Sequence, residues 1–297
     1  MKTPRALVTG ASSGIGRAFA VALASRGQDL VLVARRAATL GDLSAQLERD
    51  HGRSGEVLVA DLETDAGMRA VEARLADATS PVDLLVNNAG FGTNGAFWQL
   101  DVDGEEHEIR LNVVALVRLT HAALGAMVER GHGGVINVSS VASYQPTPWG
   151  ATYGATKAFV SSFTHALYEE LRGTSVRIMV LAPGYTHTEF HERAEMPVDQ
   201  TPGLLWKTPD EVVDAALRAY DKGRAVCTPG PINTTAAAFS ASLPAGVTRR
   251  MAGFVTRRTH CRPPGQGRGA AGAGWRNSAA AFSQQIARTS SVGMPAS

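Results

Sequence analysis

The sequence predicts a single α/β domain built on a doubly wound, seven-stranded parallel sheet, followed by a low-complexity C-terminal tail. Short apolar runs alternate with helical patterns from Arg5 to about Thr228. Such alternation implies a parallel sheet with helices on both faces and right-handed crossovers. The first apolar run opens into a glycine-rich turn, Thr9-Gly-Ala-Ser-Ser-Gly-Ile-Gly16, and then into a helix. That succession places a ligand site at the carboxyl ends of the strands, near the topological switch of the order 3-2-1-4-5-6-7.

The bulk properties narrow the class. A chain of 297 residues is long enough for one large domain with a sizeable core. The formal net charge of +2 is too small to argue for nucleic acid as a partner. Cys227 and Cys261 are the only cysteines, which suggests neither a disulfide framework nor a metal site and fits a reducing, cytoplasmic compartment. The N-terminus enters a strand at Arg5-Ala-Leu-Val-Thr9, leaving no room for a signal peptide. No apolar run is expected to reach the roughly 20 residues of a membrane span.

In the first turn, Gly10 permits the sharp bend, Gly14 lets the backbone approach a pyrophosphate, and Gly16 allows close helix packing. Ser12, Ser13 and Ile15 complete this cradle at a helix N-terminus, whose free N–H groups and dipole favour phosphate. The helix continues through Arg26, and Gly27 stops it. The second strand, Asp29–Val33, ends at Ala34-Arg35-Arg36 without a carboxylate. A carboxylate there suits the free 2′-OH of NAD, and an arginine suits the 2′-phosphate of NADP. Arg35 is the favoured phosphate ligand, with Arg17 assisting.

Residues 37–50 are helical, with Leu40, Leu43 and Leu47 on one face. Glu56–Ala60 is the third strand, ending at Asp61-Leu62, and a helix over 65–78 follows. Val82–Val86 is the fourth strand, closed by Asn87-Asn88-Ala89-Gly90. The amides can tie strand ends together, and the small Ala89-Gly90 pair lets a cofactor lie close. Phe91–Gly95 reads as a loop. Residues 103–130 form one long helical segment that includes Asn112.

The fifth strand brings Ser139 and Ser140. Tyr153 and Lys157 then sit four apart on a helix over about 152–172 and share one face. A phenol with a reference pKa of about 10 becomes a usable acid or base when an ammonium lowers that value. Tyr144, Gln145, Pro146, Pro148 and Trp149 can wall a pocket. Strand six, Val176–Ala182, ends in Pro183-Gly-Tyr-Thr-His-Thr188, and residues 189–207 read as a substrate lid. His187 and His191 lack the carboxylate or cysteine cluster a metal site needs. Thr208-Pro-Asp-Glu211 is a capping box that starts a helix to about Asp221. Arg224–Thr228 is the last strand, and a helical segment broken at Pro244 runs to about Arg258. Gly, Ala, Arg and Ser dominate residues 259–297, which lack core-forming periodicity.

These motifs together resemble the short-chain dehydrogenase/reductase family over about residues 4–230: Thr9-Gly-x-x-x-Gly-x-Gly16, Asn87-Asn-Ala-Gly90, and Ser140 with Tyr153-x-x-x-Lys157. The resemblance implies a Rossmann-type NADP-binding domain over residues 1–258. It implies a catalytic set of Asn112, Ser140, Tyr153 and Lys157. It further implies that Asp61, beside Leu62, holds the adenine amino group and that Asn112, on a kinked helix, holds a water reaching Lys157. Asn88, Ala89, Gly90, Pro183, Gly184, Thr186 and Thr188 are implied to line the cofactor. The expected activity is hydride transfer between NADP(H) and a hydrophobic carbonyl or alcohol substrate. Homodimers or homotetramers are the expected assembly. A nucleotide-sensing scaffold without turnover, or an isomerase or dehydratase of the same fold, is the alternative.

Overall fold

The computed structural model describes residues 3–190, 194, 203–231, 233–235, 246–250 and 252–253. Its sheet has seven parallel strands: β1 (Arg5–Thr9), β2 (Asp29–Ala34), β3 (Gly55–Val59), β4 (Leu84–Asn87), β5 (Gly133–Val138), β6 (Val176–Leu181) and β7 (Val226–Cys227). Their spatial order is β3-β2-β1-β4-β5-β6-β7, as the alternation of elements predicts. The helices are α1 (Gly14–Ser25), α2 (Ala37–His51), α3 (Asp65–Leu75), α4 (Val102–Ile109), α5 (Leu116–Arg130), α6 (Ala151–Glu170) and α7 (Pro209–Asp221).

Alternate strand residues feed two cores, because successive side chains of a strand point to opposite faces. Ala6, Val8, Leu30, Leu32, Val86, Ile136 and Met179 pack with Phe19 and Leu23 of α1, Leu40 and Leu47 of α2, and Val213 and Leu217 of α7. Leu7, Val31, Val33, Leu85, Val135 and Ile178 pack on the other face with Met68 and Val71 of α3 and Leu119 and Met127 of α5. The central strands are apolar on both faces for this reason. β3 lies at the edge and leaves Val57 and Val59 exposed.

Local signals act where the sequence places them. Thr208 and Glu211 form a reciprocal capping box with Pro209 in the first turn of α7. Gly27, at φ +83°, follows the end of α1. Thr64 caps α3 by accepting from Gly67 N.

Expectations on element ends and on apolar length need correction, whereas the kink that the resemblance implies within 103–130 is present: Arg110–Ala115 forms a π-helical turn between α4 and α5. Such a wide turn re-aims a residue, and here it carries Asn112, which is buried and bonded to the Phe91 backbone. β5 stops at Val138, leaving Ser139 and Ser140 beyond the sheet, and β7 is only Val226–Cys227. Finally, Val102–Arg130 is long and apolar enough to cross a membrane by length and composition, with a mean hydropathy of 1.6 over its most apolar window. It lies against the sheet, α3 and α6, with 39% of that window buried, and it also buries Glu105 and Glu108.

Arg249 and Arg250 lie in a helical stretch at 246–250 and are exposed. The remaining expectations for the C-terminal segment, including Pro244, Arg257, Arg258 and the tail over 259–297, fall outside the described residues. So do His191 and most of the lid.

Candidate active site

The glycine-rich turn forms a cradle that larger side chains would fill. A Cβ on Gly16 would lie 2.3 Å from Gly10 O, and one on Gly10 would lie 2.8 Å from Asn88 Nδ2. Gly14 has φ +53°, and its missing Cβ would meet the Thr188 methyl at 3.0 Å. Ser13 is the N-cap residue of α1, yet its side chain makes no capping bond. The first-turn amides therefore remain for an outside acceptor, which fits a phosphate.

The strand ends around the cradle are tied by amides and hydroxyls. Asn88 Nδ2 donates to Thr9 O at 3.0 Å, while Thr9 Oγ1 accepts from the backbone N–H of Asn88 and Ala89 at 2.9 and 3.0 Å. Asn87 Nδ2 donates to Asn137 Oδ1 at 2.9 Å and to Thr120 Oγ1 at 3.0 Å. Leu62 is buried, and Asp61 Oδ1 accepts from Glu63 N at 3.1 Å.

The two arginines after β2 point to different partners. Arg36 lies over the turn, with Nη2 3.2 Å from both Ser12 O and Ser12 Oγ and 3.5 Å from Glu189 Oε2. Arg35 reaches the other way, pairing with Glu63 at 3.0 Å. Arg17 donates to Gln46 on α2 at 2.6 Å. A cleft of about 690 Å³ beside the turn is lined by Gly14, Arg17, Gln46, Thr188, Trp206 and Asp210, among others.

Asn112, Ser140, Tyr153 and Lys157 converge below the cradle. Ser140 Oγ accepts from Ala142 N at 3.1 Å and is hydrogen-bonded with the Tyr153 hydroxyl. Ser139 turns away: its hydroxyl donates to Lys157 O at 2.7 Å and meets Ser161 Oγ at 2.9 Å. Lys157 Nζ donates to Val138 O at 3.1 Å and sits 5.7 Å from the Tyr153 ring centroid. Positions for a Cβ on Gly90 would lie 2.8 Å from Asn112 Oδ1 and 3.3 Å from Lys157 Nζ. Asn112 is held on three sides: Nδ2 donates to Phe91 O at 2.8 Å and Thr156 Oγ1 at 3.1 Å, and Oδ1 accepts from Phe91 N at 3.1 Å.

Electrostatics modify one expectation. Burial pushes the Tyr153 phenol up to about 12, against the lowering effect of the Ser140 hydrogen bond. Burial also depresses Lys157, to about 8. Burial thus favours the neutral phenol of Tyr153.

After β6, Val141 N donates to Pro183 O at 3.0 Å. Thr186 is buried and donates to Gly184 O at 3.1 Å, whereas Thr188 Oγ1 accepts from Phe190 N at 3.3 Å. The ring of Phe190 lies 5.3 Å from that of Tyr153. Gly92 fits beneath both, since a Cβ there would lie 2.9 Å from Tyr153 Cδ2 and 3.3 Å from Phe190 Cζ. Trp149 adopts φ +69°, an unusual conformation for a bulky residue, and its carbonyl accepts from Gly95 N at 2.7 Å. His187 stacks on Trp206 at 4.6 Å between ring centres.

Sequence reading missed Glu105, Glu108, Thr93, Gly92 and Asn233. Asn233 closes over Gly184, where a Cβ would lie 2.4 Å from its Nδ2. Glu105 and Glu108 are buried, although two acids three apart on a helix ordinarily face water. No local pattern marks them, because α6 is the element that covers them.

Known proteins carry the same architecture. The short chain dehydrogenase family model matches residues 4–197. Sulfoacetaldehyde reductase 2 of Chromohalobacter salexigens is 40% identical over 187 residues, 62% of this chain and 73% of that protein. A short-chain dehydrogenase from Sphingobium yanoikuyae in complex with NADPH superposes with a TM-score of 0.74 at 36% identity, covering 91% of this chain and 99% of that one. The bulky-bulky ketone specific alcohol dehydrogenase from Comamonas testosteroni gives a TM-score of 0.69 at 30% identity, covering 91% and 98%. The chain belongs to the short-chain dehydrogenase/reductase family. It is an oxidoreductase of the class acting on alcohol and carbonyl groups.

Proposed function

We propose that this oxidoreductase interconverts a hydrophobic carbonyl compound and its alcohol with NADP(H), using Ser140, Tyr153, Lys157 and Asn112. The observation that carries this reading is the convergence of those four side chains at the strand ends beside a glycine cradle. The solved relative in complex with NADPH and the arginines after β2 support NADP(H) as the cofactor. When bound, the nicotinamide supplies or accepts the hydride.

The chain's own residues do the rest. Gly10, Ser12, Ser13, Gly14, Ile15 and Gly16 offer backbone groups to the diphosphate. Asp61, Leu62, Asn88, Ala89, Gly90, Pro183, Gly184, Thr186 and Thr188 line the remaining cofactor path. In reduction, Tyr153 Oη gives its proton to the carbonyl oxygen, and Ser140 donates a hydrogen bond to the same atom. Lys157, fixed by Val138 O, holds the cofactor ribose and presents positive charge beside Tyr153. Asn112 braces the Phe91 loop against α6 and so fixes the distance across the site.

The substrate side is apolar and aromatic, formed by Tyr153, Phe190 and the space left by Gly92. That supports a hydrophobic substrate. Residues 1–258 form the catalytic domain in this reading, and residues 259–297 are dispensable. Two cysteines, with Cys227 buried, fit a reducing cytoplasmic compartment.

NADPH consumption across a panel of ketones and aldehydes tests the proposal. Oxidation of NADPH with at least one apolar carbonyl substrate is expected. Nucleotide binding without consumption throughout the panel would instead favour a scaffold, isomerase or dehydratase.

A further inference from the structure

We propose that Glu108 is the counter-charge of Lys157, a positioning residue that keeps this lysine an ammonium and thereby sets the alkaline limit of carbonyl reduction. This rests on the assignment of Tyr153 and Lys157 as the reacting pair.

Glu108 is fully buried, one turn before Asn112, on the helix that α6 covers. Its Oε2 accepts from both Thr93 N and Thr93 Oγ1 at 2.9 Å, and its Oε1 lies 3.5 Å from Asn112 Nδ2. Asn112 continues the contact to Thr156 on α6, one residue before Lys157. A carboxylate kept out of water needs donors or a cation nearby. Thr93 and Asn112 supply the donors. The cation is Lys157: its Nζ and Asn112 Oδ1 flank one point at Gly90, 3.3 and 2.8 Å from a Cβ built there, and the Glu108 charge raises its value.

The titratable groups facing Glu108 are Glu105 from its own helix and Lys157 and Tyr153 from α6; the Thr93 loop adds neutral donors. Glu105 is itself buried, with Oε2 accepting from the Thr152 hydroxyl and Oε1 without a hydrogen-bond partner among the described residues. Glu108 is raised to about 7, burial and Glu105 raising it against the Thr93 bonds and Lys157. Lys157 is lowered to about 8, burial lowering it against Glu108. The two shifts run towards each other, and each group's charge opposes the other's shift: Lys157 lowers Glu108, and Glu108 raises Lys157.

The sign follows. Removing the negative charge lowers the Lys157 value further, and it also removes an influence that raises Tyr153. Both changes move the loss of protons from the site to lower pH. Glu108→Gln keeps a carbonyl oxygen for Thr93 while removing the charge.

The experiment measures kcat against pH for NADPH-dependent reduction of a ketone that the wild type accepts, in wild type, Glu108→Gln, Thr93→Val and Tyr153→Phe. Glu108→Gln should move the alkaline limb about one pH unit towards acid, with KM for the ketone within about twofold. Thr93→Val should move it the same way by less, because losing the hydroxyl donor leaves Glu108 less ionised. Lysine labelled at Cε and followed by NMR gives a readout independent of turnover; with only Lys2, Lys157, Lys207 and Lys222 in the chain, assignment is simple. Its Lys157 titration should fall in both variants. If Tyr153→Phe remains active, the assignment of the site fails. If Tyr153→Phe is inactive while the limb and the Lys157 titration stay in place in either folded variant, Glu108 is only a strap for the Thr93 loop and the inference is overturned.

Discussion

At the scale of single residues, Tyr153 combines an apolar surrounding with a directed polar contact. Burial holds its proton, and the bond to Ser140 orients it. Replacement by Phe removes the proton donor without disturbing the cradle above. Tyr153→Phe should therefore abolish turnover and spare NADPH binding; steady-state rates with a cofactor fluorescence titration check both. The arginines after β2 offer a second test. Arg36 already lies on Ser12, whereas Arg35 is paired with Glu63 and is largely exposed. A guanidinium–phosphate bond is worth roughly 1.5–3 kcal/mol, on the order of tenfold to a hundredfold in preference. Arg35→Ala and Arg36→Ala are each expected to raise KM for NADPH and leave that for NADH nearly unchanged. The larger effect identifies the main phosphate ligand.

At the scale of elements, the approach of α1 to β1 depends on an absent side chain. Gly16→Ala would drive a Cβ into the backbone of Gly10, which cannot give way as a flexible side chain would. The cost of such overpacking is about 1–3 kcal/mol. A lowered Tm and weakened NADPH binding should appear together, by calorimetry and titration. The outer faces of α4, the π-helical turn and α6 expose Val102, Ile109, Val114 and Phe159. Phe159 also stacks on Phe163 at 5.8 Å. An apolar face of this kind supports a homodimer or homotetramer as the assembly, closed by symmetry. Phe159→Glu should release monomers at micromolar concentration by light scattering, with the sheet intact by circular dichroism.

At the scale of the whole molecule, the two cores among the described residues are formed by residues from Ala6 to Cys227. Deletion of residues 259–297 should leave the unfolding temperature and specific activity nearly unchanged. An insoluble or inactive truncation would assign the tail a structural role. The fold was legible because its signals are local and repeated: Phe19 and Leu23 share a helix face, Val31 and Val33 share a strand face, and Thr208 and Glu211 cap within four residues. Element ends were less legible. β5 stops at Val138, and beyond it the Ser139 hydroxyl bonds Lys157 O of α6 while Ser140 Oγ accepts from Ala142 N, contacts set by tertiary structure.

The sequence by itself determined the alternation of strands and helices, the glycine cradle, and the spacing of Ser140, Tyr153 and Lys157. Each follows from periodicity or from the steric freedom of glycine, which act within a few residues. Only the tertiary structure decided which arginine lies over the turn and that the bend at Asn112 is a π-helical turn. It also decided that burial raises Tyr153 and that Glu108 is buried against Thr93 and Asn112. Those outcomes depend on burial and on charges from separate elements. Desolvation and Coulomb interaction act through space, and the chain's order does not record distances across a fold.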